Sequence, residues 1–185
     1  MKRIAITGAD GVIGTLLMNS LTEYTLVPIT LPQNDVRDYS TILNIISGSS
    51  VVIHLAWDDT ADNFRSHTIN SDNTKMFSNI YRAAVATKVK RVIMASSIHA
   101  NDDTPYGYHK RFMEQLGKYY ALEHDLDVIC IRFGGVNAQD TPHIKERNYK
   151  KIWLRHSDCV SLVKHCIDSK IIPKHFQILE GISRQ

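Results

Sequence analysis

Short apolar runs alternate along the chain with longer segments in which apolar residues recur at helical spacing. Each run has the length of a buried strand, and the runs are RIAIT (3–7), TLVPIT (25–30), VVIHLA (51–56), RVIMAS (91–96), DVICIR (127–132) and HFQIL (175–179). The predicted helices cover about 11–23, 38–47, 68–87, 106–123 and 157–168. Nearly continuous apolar strands separated by helices are typical of a parallel sheet that is covered on both faces. The pattern therefore predicts an α/β fold with a doubly wound parallel sheet, the Rossmann arrangement.

Length and composition favour one globular domain over residues 1–185. With 185 residues, 43% of them hydrophobic and 22% charged, the chain can bury one sizeable core but hardly two. The net charge is only +3, and the basic residues are scattered among the acidic ones. This distribution argues against a nucleic-acid-binding protein.

Cysteine usage and the N-terminal residues indicate a cytoplasmic protein. Three cysteines are an odd number without the spacing of a disulfide framework, which favours a reducing compartment. The first residues lead directly into a predicted strand, without the pattern of a signal peptide. No run approaches the roughly 18 apolar residues of a membrane span, so we expect no membrane association.

Three glycines at a spacing of three, Gly8, Gly11 and Gly14, join the first strand to the first helix in ITGADGVIG. In a dinucleotide-binding turn the first glycine permits the tight turn and the second lets the pyrophosphate approach the backbone. The third lets the helix pack on the strand, and the helix N-terminus faces the anion. A purely structural strand-to-helix turn is the alternative. The strand–turn–helix context favours dinucleotide binding.

A tyrosine and a lysine stand four residues apart at the start of a predicted helix, so Tyr106 and Lys110 share one face. A free phenol titrates near pH ~10, but a nearby ammonium group favours the phenolate, which can then accept a hydroxyl proton. Tyr108 points away from Lys110 on a helix. The alternative is an ordinary aromatic–cation pair at a helix start.

Two polar, aperiodic stretches follow strand ends, residues 57–67 and 134–152. In an open α/β sheet the ligand lies outside the carboxyl ends of the strands. We therefore expect both stretches to border the pocket.

The motifs TGADGVIG and YGYHK together resemble the extended short-chain dehydrogenase/reductases, the NAD-dependent epimerase/dehydratase family. The resemblance runs nearly end to end, and it implies a catalytic set of Ser97, Tyr106 and Lys110. Ser97 stands at the strand end where this family carries the hydroxyl that binds the reacting oxygen; a simple turn serine is the alternative. The family likeness implies NAD as cofactor, with NADP not excluded. The residues it implies for cofactor binding are Gly8, Asp10, Gly11, Val12, Ile13, Gly14, Asp35, Val36, Leu55, Ala56, Asn70 and Lys110.

Within that family the chain looks most like the uronate dehydrogenases, through SSIH (96–99), the helix sequence at 106–135 and WLRHSD (153–158). This likeness implies that Ser97, His99, Tyr106 and Arg147 bind the substrate, with Arg147 clamping a sugar carboxylate. The alternative is that Arg147 is simply a solvent-exposed member of a charged stretch. The expected function is NAD(P)-dependent hydride transfer to or from a small sugar or sugar acid.

Three features depart from the family pattern. Ile98 replaces an expected substrate-facing asparagine. Thr30 ends the second strand at the position where an acidic residue normally holds the ribose. The chain stops at Gln185, with a minimal C-terminal substrate region. We therefore expect weak discrimination between NAD and NADP, leaning to NAD. A sugar epimerase and a non-enzymatic NAD(P)-binding protein remain the alternatives.

Two further groups of residues invite a functional interpretation. His156, Cys159, His165 and Cys166 lie on or near one helix, but the cysteines occupy apolar positions of its pattern, so we expect core cysteines and no metal site. Helices 68–87 and 106–123 resemble the pair that forms the family's homodimer. They could equally serve only to cover the sheet.

Overall fold

Six parallel strands form the centre of the computed structural model, which describes residues 1–58, 71–142 and 149–184. The strands are β1 (Arg3–Thr7), β2 (Thr25–Ile29), β3 (Val51–His54), β4 (Arg91–Ser97), β5 (Asp127–Phe133) and β6 (Phe176–Gly181). Their order across the sheet is β2-β1-β3-β4-β5-β6, and every neighbouring pair is parallel. The predicted parallel sheet is confirmed.

Helices cover both faces of this sheet. They are α1 (Val12–Ser20), α2 (Tyr39–Ile46), α3 (Ser71–Ala86), α4 (Pro105–Glu123) and α5 (His156–Asp168), with short 3₁₀ turns at Ile98–Asn101, Tyr149–Ile152 and Pro173–His175. Helices α1 and α5 pack on one face, and α2, α3 and α4 pack on the other. The sheet is therefore doubly wound, as predicted.

Alternate residues of each central strand supply the two cores. In β4, Val92 and Met94 belong to the core beneath α2, α3 and α4, whereas Ile93 belongs to the core beneath α1 and α5. All three side chains are fully buried. Because both faces of the strand are covered, its successive central positions are apolar, which explains the continuous apolar runs in the sequence.

Helix α1 ends at Ser20, short of the predicted end at Glu23. Beyond the helix, Glu23 forms an ion pair with Lys164, and the Tyr24 hydroxyl donates to the Asp168 carboxylate at 2.7 Å. These contacts with α5 turn the chain out of the helix and into β2.

The order of the strands reverses between β1 and β3, because β2 lies on one side of β1 and β3 on the other. Open α/β sheets bind ligands in the crevice outside the carboxyl ends of two such strands. The glycine turn follows β1, and Trp57 and Asp58 follow β3, so both border this crevice. None of the helices in the described parts of the chain is long and apolar enough to cross a membrane.

Candidate active site

The three glycines of the turn after β1 have different structural reasons to be glycine. Gly8 has a φ of +65°, and a Cβ there would lie 2.8 Å from the backbone nitrogen of Ala56. A Cβ on Gly14 would overlap the carbonyl oxygen of Gly8, so this glycine allows α1 to pack closely on the turn. At Gly11 a Cβ would meet only the Gly8 carbonyl oxygen, at 3.3 Å. The fold thus requires Gly8 and Gly14, whereas Gly11 leaves open a space that a side chain would fill.

This open space lies at the N-terminus of α1. Gly11 is the N-cap residue and has no side chain to cap the helix, and the first turn carries no acidic residue. The first N–H groups of a helix lack intrahelical partners and favour an anion. The turn therefore fits a phosphate group of a dinucleotide.

A cavity of about 390 Å³, the glycine-turn cavity, opens beside this turn. Seven of the residues that the sequence predicts for cofactor binding line it: Gly8, Asp10, Gly11, Asp35, Val36, Leu55 and Ala56. Thr30 also lines it, at the end of β2, where no carboxylate is present. Of the other predicted residues, Val12 is exposed and borders a neighbouring shallow pocket, and Asn70 lies outside the described residues.

The rim of the glycine-turn cavity carries an ion-pair chain that sequence reasoning missed. Arg37 contacts the Asp35 carboxylate at 2.7 Å and the Asp72 carboxylate at 2.9 Å. Hydrogen bonds from Arg37 hold the pKa of Asp35 below its usual value. Asp72 lies on α3, far away in sequence, so no local pattern could indicate this arrangement.

A second cavity of about 500 Å³, the tyrosine cavity, adjoins the first. The predicted catalytic residues Ser97, Tyr106 and Lys110 all line it, and so does Ile13 from the first turn of α1. Leu55 and Trp57 line both cavities, which therefore meet at these two residues. The arrangement is a continuous groove from the glycine turn to the tyrosine.

Local sequence explains how α4 presents its reactive face. Thr104 is the N-cap residue, and its hydroxyl accepts from the Gly107 N–H at 3.0 Å, with Pro105 in the first helical position. Tyr106 then falls in the first turn of the helix and faces the cavity. Tyr108 is 53% exposed, and its hydroxyl donates to Asp103 at the surface, at 3.3 Å. The structure thus places the two tyrosines on different sides of the helix.

The environment of Tyr106 favours its neutral form. Burial raises the pKa of its phenol, and a hydrogen bond with the Ser97 side chain partly offsets this effect. The Lys110 ammonium lies 5.5 Å from the centroid of the Tyr106 ring and donates to the Ala95 carbonyl oxygen at 2.9 Å. A phenolate at this position therefore depends on positive charge in the cavity.

A buried ion pair fixes the rotation of α4. Glu114, one turn after Lys110, accepts from Arg132 of β5 at 2.8 Å through both oxygens, and the Ser96 hydroxyl donates to it at 2.5 Å. The Glu114 side chain is 1% exposed. Because Tyr106, Lys110 and Glu114 are spaced by four residues, this anchor keeps all three on the sheet side of the helix.

His54, at the end of β3, is buried, and its Nδ1 accepts a hydrogen bond from the Thr7 hydroxyl at 2.7 Å. The Thr7 oxygen also accepts from the N–H groups of Leu55 and Ala56, so its own proton is left for the imidazole. This network assigns the ring proton to Nε2, which has no hydrogen-bond partner among the described residues. Burial, and then the charge of Lys110, lower the pKa of His54 to about 3.

The lowered pKa makes the stability of the protein depend on His54 below neutral pH. In the unfolded chain a histidine titrates near pH ~6.5. Between pH 6.5 and about 3, His54 is therefore protonated in the unfolded state but neutral in the folded state. The free energy of unfolding consequently falls as the pH falls. Between pH 7 and pH 5, we expect the free energy of unfolding, measured by urea denaturation, to fall by about 2 kcal/mol more in the wild type than in His54→Asn. The exposed His124→Asn is the matched control; equal losses in the wild type and His54→Asn would contradict the assignment.

Several other predicted features fall elsewhere. His99 lies in the 3₁₀ turn after β4, where its Nδ1 pairs with Asp102 at 2.8 Å, and it is not among the described residues that line the tyrosine cavity. Arg147 lies outside the described residues. Cys159 and Cys166 are buried in the core, as expected. Within the described ranges no group of three histidine, cysteine or acidic side chains is placed to hold a metal ion.

Fold and site together define a class: Rossmann-fold enzymes that bind a nicotinamide dinucleotide at a glycine turn beside a serine–tyrosine–lysine group. Comparison with known families agrees with this class. The chain belongs to the NAD dependent epimerase/dehydratase family, whose model matches residues 4–154. This membership confirms the expected cofactor, NAD, and the expected class of enzyme.

Individual relatives support the same conclusion. The chain is 26% identical to the L-arabinose 1-dehydrogenase (NAD(P)(+)) of Haloferax volcanii, over 92% of this chain and 84% of that protein. It is 30% identical to the NAD-dependent glucose-6-phosphate dehydrogenase of the same organism, over 80% of this chain but only 66% of the relative. The crystal structure of uronate dehydrogenase from Agrobacterium tumefaciens has the same fold, with a TM-score of 0.82 and 22% identity over 99% of this chain and 77% of that one.

Proposed function

We propose that this protein oxidises a small sugar or sugar acid at its anomeric carbon and transfers the hydride to NAD. The observation that carries the proposal is the convergence of Ser97, Tyr106 and Lys110 in one cavity that continues into the glycine-turn cavity. NAD when bound supplies a hydride acceptor and a positive charge. The family and the sugar dehydrogenases among its relatives support this class of reaction.

Each residue of the tyrosine cavity has a definite task in this proposal. Ser97 hydrogen-bonds the anomeric hydroxyl of the sugar and aligns it with Tyr106. The Tyr106 phenolate would accept the hydroxyl proton, and NAD, when bound beside it, would supply the acceptor for the hydride of the same carbon, so that the sugar becomes a lactone. Lys110, together with the charge of oxidised NAD, opposes the effect of burial on the pKa of Tyr106. The glycine turn, with Gly11 at its centre, holds the pyrophosphate.

The test is a dehydrogenase assay with neutral aldoses and uronic acids, each with NAD and with NADP, followed by absorbance of the reduced cofactor. We expect turnover with at least one free sugar or uronic acid, and a preference for NAD of less than about a hundredfold, ~2.7 kcal/mol. The weak preference follows from Thr30, which offers no carboxylate to repel a 2′-phosphate. Tight binding of NAD without turnover of any compound in the panel would contradict the proposed reaction.

The same assay decides whether Arg147 selects a carboxylate. If it does, Arg147→Met should impair turnover of uronic acids alone.

We also propose a cytoplasmic homodimer that forms through α3 and α4. Four apolar side chains of α4 are about half exposed, Tyr108, Phe112, Tyr119 and Leu122. Their spacing of four, seven and three residues places them on one face of the helix. Phe112 also contacts the buried Phe77 of α3, with 5.7 Å between the ring centroids, so α3 lies directly beside the stripe. A row of exposed aromatic residues is typical of a protein interface.

A charge in this stripe should separate the subunits. For Phe112→Glu we expect a dissociation constant at least about a hundredfold higher, ~2.7 kcal/mol, because an interface centre does not accommodate an unpaired carboxylate. Size-exclusion chromatography with light scattering should show dimers for the wild type and monomers for the variant. Ile171→Glu adds the same charge to an exposed apolar residue outside α4 and should leave the dimer intact. A monomeric wild type would refute the homodimer.

A further inference from the structure

Trp57 occupies the junction of the two halves of the groove. It lies three residues beyond the end of β3, and it lines both the glycine-turn cavity and the tyrosine cavity. Its ring meets Tyr106 edge-on, with 5.9 Å between the centroids, and His109 in the same way at 5.2 Å. A large rigid side chain is therefore fixed between the glycine turn and the catalytic residues.

The face of the Trp57 ring holds the Lys110 side chain in place. The Lys110 ammonium lies 3.5 Å from the centroid of the indole ring, well inside the range of a cation–π contact. The same ammonium donates to the Ala95 carbonyl oxygen at 2.9 Å. With Ala95 on β4 and Trp57 after β3, these two contacts fix the ammonium at the floor of the groove.

The edge of the Trp57 ring carries an unsatisfied donor. The indole Nε1–H is buried, and it has no hydrogen-bond partner among the described residues. A buried donor without a partner is unfavourable, and Trp57 lines both cavities, so this N–H is suited to an acceptor that the ligand brings. NAD is rich in acceptor oxygens, and this family of enzymes binds it.

We propose that Trp57 is a cofactor-binding residue: its Nε1–H donates to an acceptor oxygen of the dinucleotide, and its ring positions the Lys110 ammonium beside the same molecule. The proposal rests on dinucleotide binding and not on the identity of the sugar. It assigns a side-chain role to a position directly after the strand end, where sequence reasoning expected only a loop that borders the pocket. The Lys110 ammonium is then held in place by the rings of Trp57 and Tyr106 and by one carbonyl oxygen.

Two substitutions separate the two roles of Trp57. Trp57→Phe keeps an aromatic face for Lys110 but removes the N–H, and Trp57→Leu removes both. Calorimetric titration with NAD, without any sugar, should show affinity about tenfold lower for Trp57→Phe and lower again for Trp57→Leu. Trp153→Phe is the matched control, because Trp153 is buried but is not among the described residues that line either cavity. Wild-type affinity in a folded Trp57→Phe protein would overturn the proposal.

Fluorescence provides a second readout, and its decisive measurement is made on a protein that keeps Trp57. The chain has two tryptophans, so the Trp153→Phe protein reports on Trp57 alone. Oxidised NAD should quench this emission, with a midpoint equal to the calorimetric dissociation constant, whereas the emission of Trp57→Phe should stay nearly constant. Unquenched emission from Trp57 at saturating NAD would also overturn the proposal. Neither experiment measures turnover, so a failure of the proposed sugar oxidation leaves both results interpretable.

Discussion

Tyr106→Phe should reduce turnover by about 10²–10⁴-fold while leaving the fold and NAD binding intact. The substitution removes one oxygen atom and little volume, and that oxygen forms a hydrogen bond with the Ser97 side chain. The loss should appear in kcat, because the phenol acts in the proton transfer rather than in binding. The measurement is steady-state kinetics with the best sugar of the substrate panel, together with calorimetric NAD binding and a thermal melt.

Two neighbouring substitutions make this result specific. Tyr108→Phe changes an exposed tyrosine on the other side of the same helix and should be nearly silent. Lys110→Met should lower turnover and also weaken NAD binding, because the lysine both favours the phenolate and contacts the cofactor in the proposed function. Inactivation by Tyr108→Phe, with an active Tyr106→Phe, would mean that the wrong tyrosine has been assigned.

Gly11→Val should abolish NAD binding, with an affinity loss of more than about a hundredfold. A Cβ at this position contacts the protein only at the Gly8 carbonyl oxygen, at 3.3 Å, so the branched side chain extends into the space assigned to the pyrophosphate. The N-cap residue has a φ of −71° and a ψ of 174°, which a valine adopts without strain, so the variant should fold. Calorimetry and a thermal melt together test both expectations.

Gly14→Ala provides the contrast within the same turn. Its Cβ would overlap the Gly8 carbonyl oxygen, so this variant should lose stability rather than binding alone. A folded Gly11→Val protein that binds NAD with wild-type affinity would show that the glycine turn does not hold the pyrophosphate.

Local sequence patterns carry most of the fold and much of the site. Apolar runs mark the strands because the sheet is covered on both faces, and TPYG places Tyr106 in the first turn of α4 through an N-cap and a proline. The glycine spacing predicts the turn because Gly8 and Gly14 are required by backbone contacts that occur within that turn and with the neighbouring strand. These features depend on residues near in sequence or on the periodicity of a single element.

The features that sequence reasoning missed all depend on contacts between distant segments. Arg37 bridges Asp35, which lies between β2 and α2, and Asp72 of α3. The stacking of Lys110 on Trp57 joins the end of β3 to α4 across more than fifty residues of sequence. The early end of α1 reflects contacts with α5, and the tautomer of His54 depends on Thr7 of a neighbouring strand. No periodicity or short motif encodes such pairs.

The most direct test of the central claim is to follow the hydrogen that the reaction moves. A sugar that the protein turns over is prepared with deuterium at the anomeric carbon, and the reduced NAD is then analysed by mass spectrometry. Our account predicts that each molecule of reduced NAD carries one deuterium, that its formation matches the loss of sugar, and that Tyr106→Phe slows both. Deuterium that remains in a sugar of altered configuration would reveal an epimerase, and the absence of any reduced NAD with every sugar offered would contradict sugar oxidation.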